Sequence, residues 1–126
     1  MSDIRLICLD MDGTLLDDDH ATVPPRNVAA LRTAAKRGAA VTIASGRAWS
    51  LLRAVDAQIG VTQYAVLSNG AAVLDVATGE WIYRRPMDPA ARRTILTLLL
   101  DWGLPFEVYC EGENYIQADR TEQVVG

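Results

Sequence analysis

The sequence predicts an α/β fold in which a parallel sheet is followed by a smaller α+β region. Three short apolar runs have the length and composition of buried strands. The runs lie at residues 4–9, 40–44 and 64–67. Helical patterns separate them, and this alternation is typical of a parallel sheet with right-handed crossovers. Two hairpins around one helix follow, so we expect one region at 1–72 and a second at 73–126.

The run at residues 4–9 is apolar except at Arg5, and we expect it to form a strand that is buried on both faces. Pro24-Pro25 predicts the start of a helix, because proline is tolerated in a first turn, and Gly38 predicts its end. A second helix is predicted to end at Gly60. Its apolar positions are Leu51, Leu52, Val55 and Ile59.

The elements of the second region follow from turn and capping signals. A hairpin is expected to turn at 77–79, and a second hairpin at 111–114. Between them Asp88-Pro89 is a good N-cap and first-turn pair for a helix that ends at Gly103. The strands of the hairpins are expected at 73–76 and 81–83, and at 106–110 and 115–118.

Composition and sequence patterns argue against several classes of function. The net charge of −4 disfavours nucleic acid or an anionic membrane as a partner. No apolar stretch approaches the roughly 20 residues that cross a bilayer, and residues 1–3 do not resemble a signal peptide. We expect Cys8, in a buried strand, and Cys110 to be free thiols, which favours a cytoplasmic protein.

The segment Asp10-Met11-Asp12-Gly13-Thr14 directly follows the first strand. Two carboxylates at this spacing suit a nucleophilic aspartate and a second aspartate that acts as acid and base. A phosphate monoester is anionic, so the nucleophile needs a cation beside it, and Mg²⁺ prefers carboxylate and other oxygen ligands. Gly13 allows a tight turn that brings backbone amides towards a phosphoryl group. The segment therefore predicts phosphoryl transfer with Asp10 as nucleophile and Mg²⁺ ligand.

Polar residues also follow the second and third strands, as Ser45-Gly46-Arg47 and Ser68-Asn69-Gly70. Ligands of open parallel sheets bind beyond the carboxyl ends of the strands, so these segments should meet Asp10 at one edge. Ser45 offers a hydroxyl to a phosphate oxygen. Arg47 and Asn69 are candidates for contacts that bind the substrate or organise the site.

Simpler interpretations exist for several of these residues. Asp-x-Asp-Gly also occurs in calcium loops, but here the glycine is at position four of the loop and position twelve is Ala21 instead of glutamate. Ser-Gly and Asn-Gly are common turns. The segment 17–19 is interpreted as a solvated loop, and His20 as a surface residue.

The N-terminal half resembles the haloacid dehalogenase-like (HAD) superfamily, and within it the Cof-type phosphatases. The residues that carry the resemblance are 10–16, 43–47 and 67–71. The resemblance implies an HAD-type Rossmann-like core at 1–72 and part of an α/β cap at 73–126. It also implies Asp10 as nucleophile and Mg²⁺ ligand, Asp12 as acid/base with its backbone carbonyl on the metal, and Ser45 as a phosphate-binding hydroxyl. Together with Ser45 we expect Gly13, Gly46, Arg47 and Asn69 to bind the substrate or its phosphate.

Two departures from the family pattern shape the expectation. Such phosphatases carry a later lysine and a later acidic metal motif, whereas the only lysine here is Lys36, and Asp119 lies where a cap strand should end. We therefore expect the N-terminal part of a longer Mg²⁺-dependent phosphatase that hydrolyses a small phosphorylated metabolite through an aspartyl-phosphate. Its first strand would be an open sheet edge, which favours self-association.

Two other functions remain open from the sequence. The chain is alternatively a non-catalytic binding or assembly module, or Asp10 is the phospho-acceptor of a phosphomutase-like transferase. Substrate identity is equally open, and sugar phosphates, phosphoglycolate and phosphorylated cofactors all fit.

Overall fold

The computed structural model describes residues 3–117, so that Asp119 and the last position of the expected final strand lie outside the described residues. The elements are β1 (Leu6–Asp10), α1 (Pro25–Lys36), β2 (Ala40–Ala44), α2 (Trp49–Ile59), β3 (Thr62–Leu67), β4 (Ala72–Asp75), β5 (Trp81–Arg84), α3 (Pro89–Asp101), β6 (Glu107–Cys110) and β7 (Glu113–Ile116). Within 3–117 no helix combines the length and the hydropathy needed to cross a membrane.

The first five strands form one sheet in the order β1-β2-β3-β4-β5. The strands β1, β2 and β3 are parallel, and β4 and β5 continue the sheet in antiparallel pairing. This parallel-dominated α/β arrangement confirms the predicted fold class.

One face of this sheet forms the hydrophobic core together with α1 and α2. The cluster combines alternate residues of the strands with one stripe of each helix, as the periods of strand and helix dictate. Its fully or almost fully buried members from these elements are Leu31, Val41, Ile43, Leu52, Val55, Ile59, Ala65, Leu67 and Leu74. Burying each large side chain contributes about 1.5–3 kcal/mol, so this face carries most of the stability of the sheet.

The opposite face of the sheet is open. Leu6 and Ile82 are 58% and 56% exposed, and they help to line a shallow apolar depression of about 370 Å³. The prediction that β1 is buried on both faces is therefore wrong, and Cys8 is exposed. The physical reason is that, among the described strands, β1 pairs with β2 alone and the core lies on one face of the sheet, so the even-numbered residues of β1 are exposed. The expected open edge is confirmed.

The chain divides into two compact units, of which the first ends at Arg84 and the second begins at Arg85. The expected boundary at 72/73 falls inside the sheet, because Val73 and Leu74 pair with residues of β3. Leu74 is only 3% exposed and belongs to the core. The first hairpin is therefore part of the parallel sheet's own unit.

The second unit, in its described part, consists of α3 and the β6–β7 hairpin. The carboxylate of Asp88 caps α3 by accepting hydrogen bonds from the amides of Ala90 and Ala91, each at 3.0 Å, as predicted. The hairpin turn is shorter than expected, since Cys110 pairs with Glu113. The two turn residues, Glu111-Gly112, both have positive φ, which is the geometry of tight two-residue hairpins.

Candidate active site

The predicted site residues follow three strands that end side by side. Asp10 is the last residue of β1 and lies opposite Ala44 of β2, which directly precedes Ser45. The backbone joins the other two segments, since Asn69 N donates to the carbonyl of Ser45 at 3.3 Å and Ser68 N donates to that of Arg47 at 3.2 Å. The structure therefore brings the three polar segments together at the end of the sheet where the carboxyl ends of β1, β2 and β3 lie.

A tight turn follows Asp10 and fixes the backbone of Asp12. Asp12 has φ −69° and ψ 127°, and Gly13 has φ 74° and ψ 2°, which is the geometry of a type II turn. Met11 is fully buried and Leu15 is 5% exposed, so the turn is anchored in the core on both sides. The predicted turning role of Gly13 has its physical basis in this positive φ.

The carboxylate of Asp12 is held by two side chains. Arg47 donates through Nε to Oδ2 at 3.0 Å and through Nη2 to Oδ1. His20 contacts Oδ1 through Nδ1 at 3.0 Å. Desolvation raises the pKa of Asp12, but the hydrogen bonds and positive charges of Arg47 and His20 outweigh it, so the pKa lies below its ordinary value.

The contact of His20 is the feature of the site that sequence reasoning missed. The interpretation of His20 as a surface residue is correct for exposure, since its side chain is 65% exposed, but not for contacts. The residue has φ 56°, and a closed loop holds it, in which His20 N donates to Asp17 O at 2.9 Å. Asp19 organises the same loop by accepting from the amides of Ala21 and Thr22. The polar run before His20 signalled a loop, but not where the ring would lie.

Ser45 is a buried residue with a hydroxyl at the site. It is 9% exposed, and its Oγ accepts a hydrogen bond from the amide of Arg47 at 3.1 Å. A hydroxyl that accepts in this way still has its own proton to donate. Ser45 therefore fits the expected contact with a phosphate oxygen.

Gly46 allows Asn69 to approach the Ser45–Arg47 segment. A Cβ at position 46 would lie 2.8 Å from Oδ1 of Asn69 and 3.3 Å from its Nδ2. Ser68 and Asn69 have φ values of 50° and 55°, a left-handed backbone that costs energy in non-glycine residues and is common at functional sites. These contacts indicate that Asn69 organises the loops of the site.

The donors present fit part of a magnesium site. Asp10 and Asp12 offer oxygen ligands, as Mg²⁺ prefers, but the carboxylate of Asp12 is engaged by Arg47 and His20. The ligands that the family resemblance implies here are the Asp10 carboxylate and the backbone carbonyl of Asp12. Across residues 3–117, no three side chains of the His, Cys, Asp and Glu types converge as a metal-binding group.

Known proteins resemble this chain in sequence and in fold. Phosphatase YwpJ of Bacillus subtilis (strain 168) is 30% identical over 119 residues, which are 94% of this chain and 41% of the relative. An HMP-PP phosphatase of Yersinia pestis (strain Pestoides F) is 34% identical over 118 residues, with 94% and 42% of the two chains covered. A solved haloacid dehalogenase-like hydrolase from B. subtilis superposes with a TM-score of 0.84 at 29% identity, over 97% of this chain and 42% of the other.

The chain thus spans less than half the length of the curated relatives that it matches. The family profile described as haloacid dehalogenase-like hydrolase matches residues 7–125, which include every predicted site residue. The chain belongs to the haloacid dehalogenase-like hydrolase family.

Proposed function

We propose that this protein is a phosphatase that hydrolyses a small phosphorylated metabolite through an aspartyl-phosphate. The observation that carries the proposal is the position of Asp10, which ends β1 beside Ser45 and precedes the turn that holds Asp12. Two similar proteins are named as phosphatases of small phosphorylated compounds, HMP-PP phosphatase and 5-amino-6-(5-phospho-D-ribitylamino)uracil phosphatase. These names support the substrate class but do not identify the substrate of this protein.

In the first half-reaction a carboxylate oxygen of Asp10 attacks the phosphorus atom. The bond to the ester oxygen breaks, and that oxygen takes a proton from Asp12. The hydroxyl of Ser45 and the amides of the Gly13 turn donate to the phosphoryl oxygens. The products are a free alcohol and an aspartyl-phosphate on Asp10.

In the second half-reaction Asp12, now ionised, takes a proton from water. The water oxygen attacks the phosphorus atom and displaces Asp10, so that inorganic phosphate leaves and Asp12 is protonated again. The contacts of Asp12 suit this step, because Arg47 and His20 favour its ionised form. For the first step Arg47 must release Asp12, and a substrate phosphate offers Arg47 an alternative anion.

The cofactor in this proposal is Mg²⁺. When bound, it neutralises the charge of the phosphoryl group, and Asp10 and the carbonyl of Asp12 would contribute ligands. Within residues 3–117 no further acidic side chain joins these two groups to complete a metal site.

The proposal extends to the second unit, to location and to partners. We assign the unit that begins at Arg85 to a substrate-selecting cap. Two exposed free thiols, Cys8 and Cys110, favour the reducing cytoplasm. We propose no nucleic-acid or membrane partner, and we propose self-association through the open edge of β1.

Substitution Asp10→Asn in the complete gene product tests the mechanism. Phosphate release from a panel of phosphate monoesters should depend on Mg²⁺ and should fall to background in this variant, because the amide is not a nucleophile. Asp18→Asn, the same change in the exposed loop, is the control and should retain activity.

Three results would contradict the proposal in different ways. Full activity of Asp10→Asn would exclude the aspartyl-phosphate. An isomerised product without free phosphate would indicate a phosphomutase. No Mg²⁺-dependent turnover with any monoester would favour a binding module.

A further inference from the structure

The ring of His20 has a position that packing does not explain. Its side chain is 65% exposed, so burial of the ring contributes little to holding it in place. The residue nevertheless keeps a left-handed backbone with φ 56°, which is unfavourable for a residue with a side chain. Its Nδ1 lies 3.0 Å from Oδ1 of Asp12, and its carbonyl accepts from Nη2 of Arg47 at 3.2 Å.

The direction of the ring contact follows from the chemistry of the partner. An ionised carboxylate can only accept hydrogen bonds, and both oxygens of Asp12 accept one from the Arg47 guanidinium, as in an ion pair. The Nδ1 atom of His20 must therefore carry a proton and donate it to Asp12.

Arg47 and His20 differ in whether they can keep their hydrogen bonds to Asp12 once the substrate is bound. Arg47 makes two hydrogen bonds to Asp12, and under the proposed function it has to turn towards the substrate phosphate. His20 bonds to the same oxygen from the loop at 17–22, which is closed by its own backbone hydrogen bonds, from Asp17 N to Thr22 O and from His20 N to Asp17 O. A second donor to Oδ1 would keep the carboxylate oriented after Arg47 has left.

We infer that His20 is a positioning residue, whose Nδ1–H orients the carboxylate of Asp12 for proton transfer while Arg47 is engaged with the substrate. This inference rests on the proposed function for the role of Asp12. The contact between His20 and Asp12 is independent of the proposed function.

Nitrogen NMR on this 126-residue chain tests the contact without any assay of activity. The chain has a single histidine, so the ring signals belong to His20, and their couplings to the carbon-bound ring protons distinguish Nδ1 from Nε2. Nδ1 should carry a proton in the wild-type chain at a pH where the ring is neutral, and Asp12→Ala should remove this preference. A ring protonated only at Nε2, unchanged by Asp12→Ala, would overturn the inference.

Kinetics of the complete gene product test the positioning role. His20→Ala should lower kcat about tenfold with KM unchanged. This loss is smaller than the roughly 100- to 10,000-fold that a positioned acid or base contributes, because Asp12 itself is retained. His20→Asn should restore most of kcat, because its amide places a donor near the Nδ1 position and asparagine tolerates positive φ. His20→Gly relieves the backbone without a donor and should remain slow.

The outcomes separate this inference from the proposed function. Wild-type kcat in His20→Gly would show that only the backbone matters and would overturn the positioning role. An inactive Asp10→Asn beside a fully active His20→Ala would leave the mechanism intact and refute only the role of His20. An active Asp10→Asn would refute the mechanism, while the nitrogen NMR result would still decide the contact.

Discussion

Asp12 and Arg47 are 35 positions apart in sequence and form the central ion pair of the site. Under the proposed function Asp12 gives up a proton, yet its hydrogen-bond partners outweigh the desolvation of its carboxylate and lower its pKa. The side chain of Asp12 is 41% exposed, so solvent screens the pair and its contribution to stability is small. We therefore expect the pair to matter through the proposed proton transfer and to contribute little to folding.

Removing Arg47 should raise the pKa of Asp12. In Arg47→Ala the carboxylate loses two hydrogen bonds and a positive charge, so it should protonate at higher pH than in the wild type. A carboxylate with a lowered pKa stabilises the fold above its unfolded-state pKa, and this contribution disappears as the pH falls through the folded-state value. In Arg47→Ala the folded-state pKa of Asp12 should lie closer to its unfolded-state pKa, so the free energy of unfolding should depend less on pH in the acidic range.

Carboxyl-carbon NMR of Asp12 as a function of pH measures this change. Arg26→Ala removes an exposed arginine of α1 and should leave the Asp12 titration where it is. An identical midpoint in Arg47→Ala and wild type would mean that Arg47 does not determine the protonation of Asp12.

At the scale of elements, the site depends on strand ends and on the turns that follow them. The ends of β1, β2 and β3 were predictable, because apolar runs that stop at polar residues mark where strands leave a sheet. The turn at Asp12-Gly13 was also predictable, since a type II turn needs positive φ at its third residue, where glycine is favoured. The position of β4 and β5 in the sheet could not be predicted, because alternating hydrophobicity does not determine which neighbouring strand a strand pairs with.

Gly13→Ala and Gly79→Ala form a matched pair that tests the turn. Both glycines have φ 74°, and a Cβ would meet no atom within 4 Å at either position. Each variant should lose about 1–2 kcal/mol in free energy of unfolding, from backbone strain alone. Only Gly13→Ala should also change the NMR signals of Asp12, because Gly79 lies in the β4–β5 turn.

Denaturant unfolding and amide NMR measure the two effects separately. Equal losses of stability with a perturbation of Asp12 in one variant alone would support the turn as the element that places the carboxylate. A larger loss at Gly79 than at Gly13, or an unperturbed Asp12, would contradict this view.

At the scale of the whole molecule, the five-stranded sheet has one covered face and one open face. Among the described strands β1 is an edge strand, and its exposed Leu6 side chain presents apolar surface beside that backbone edge. Open edges of this kind are sites where strands of other chains pair. This geometry is the basis of the proposed self-association.

Leu6→Lys should weaken self-association without unfolding the chain. Leu6 is 58% exposed, so its replacement should change the free energy of unfolding by less than about 0.5 kcal/mol. A charged residue on an edge strand disfavours pairing with another strand. Sedimentation velocity over a range of concentrations measures the effect.

Leu100→Lys is the matched control, since Leu100 is 55% exposed and belongs to α3 of the second unit. An oligomer that persists in Leu6→Lys but dissociates in Leu100→Lys would place the contact in the second unit. A wild-type chain that is monomeric at all concentrations would refute self-association altogether.

The sequence by itself determined the alternation of strand and helix, the turn at Gly13 and the grouping of Asp10, Ser45 and Asn69 at one edge. These features follow from local rules, namely side-chain periodicity, the conformational freedom of glycine and the parallel direction of strands joined by helices. Only the tertiary structure decided that β4 and β5 extend the sheet, that one face of β1 is exposed and that His20 reaches Asp12. Those features depend on which distant segments come into contact, and neither spacing nor composition encodes that choice.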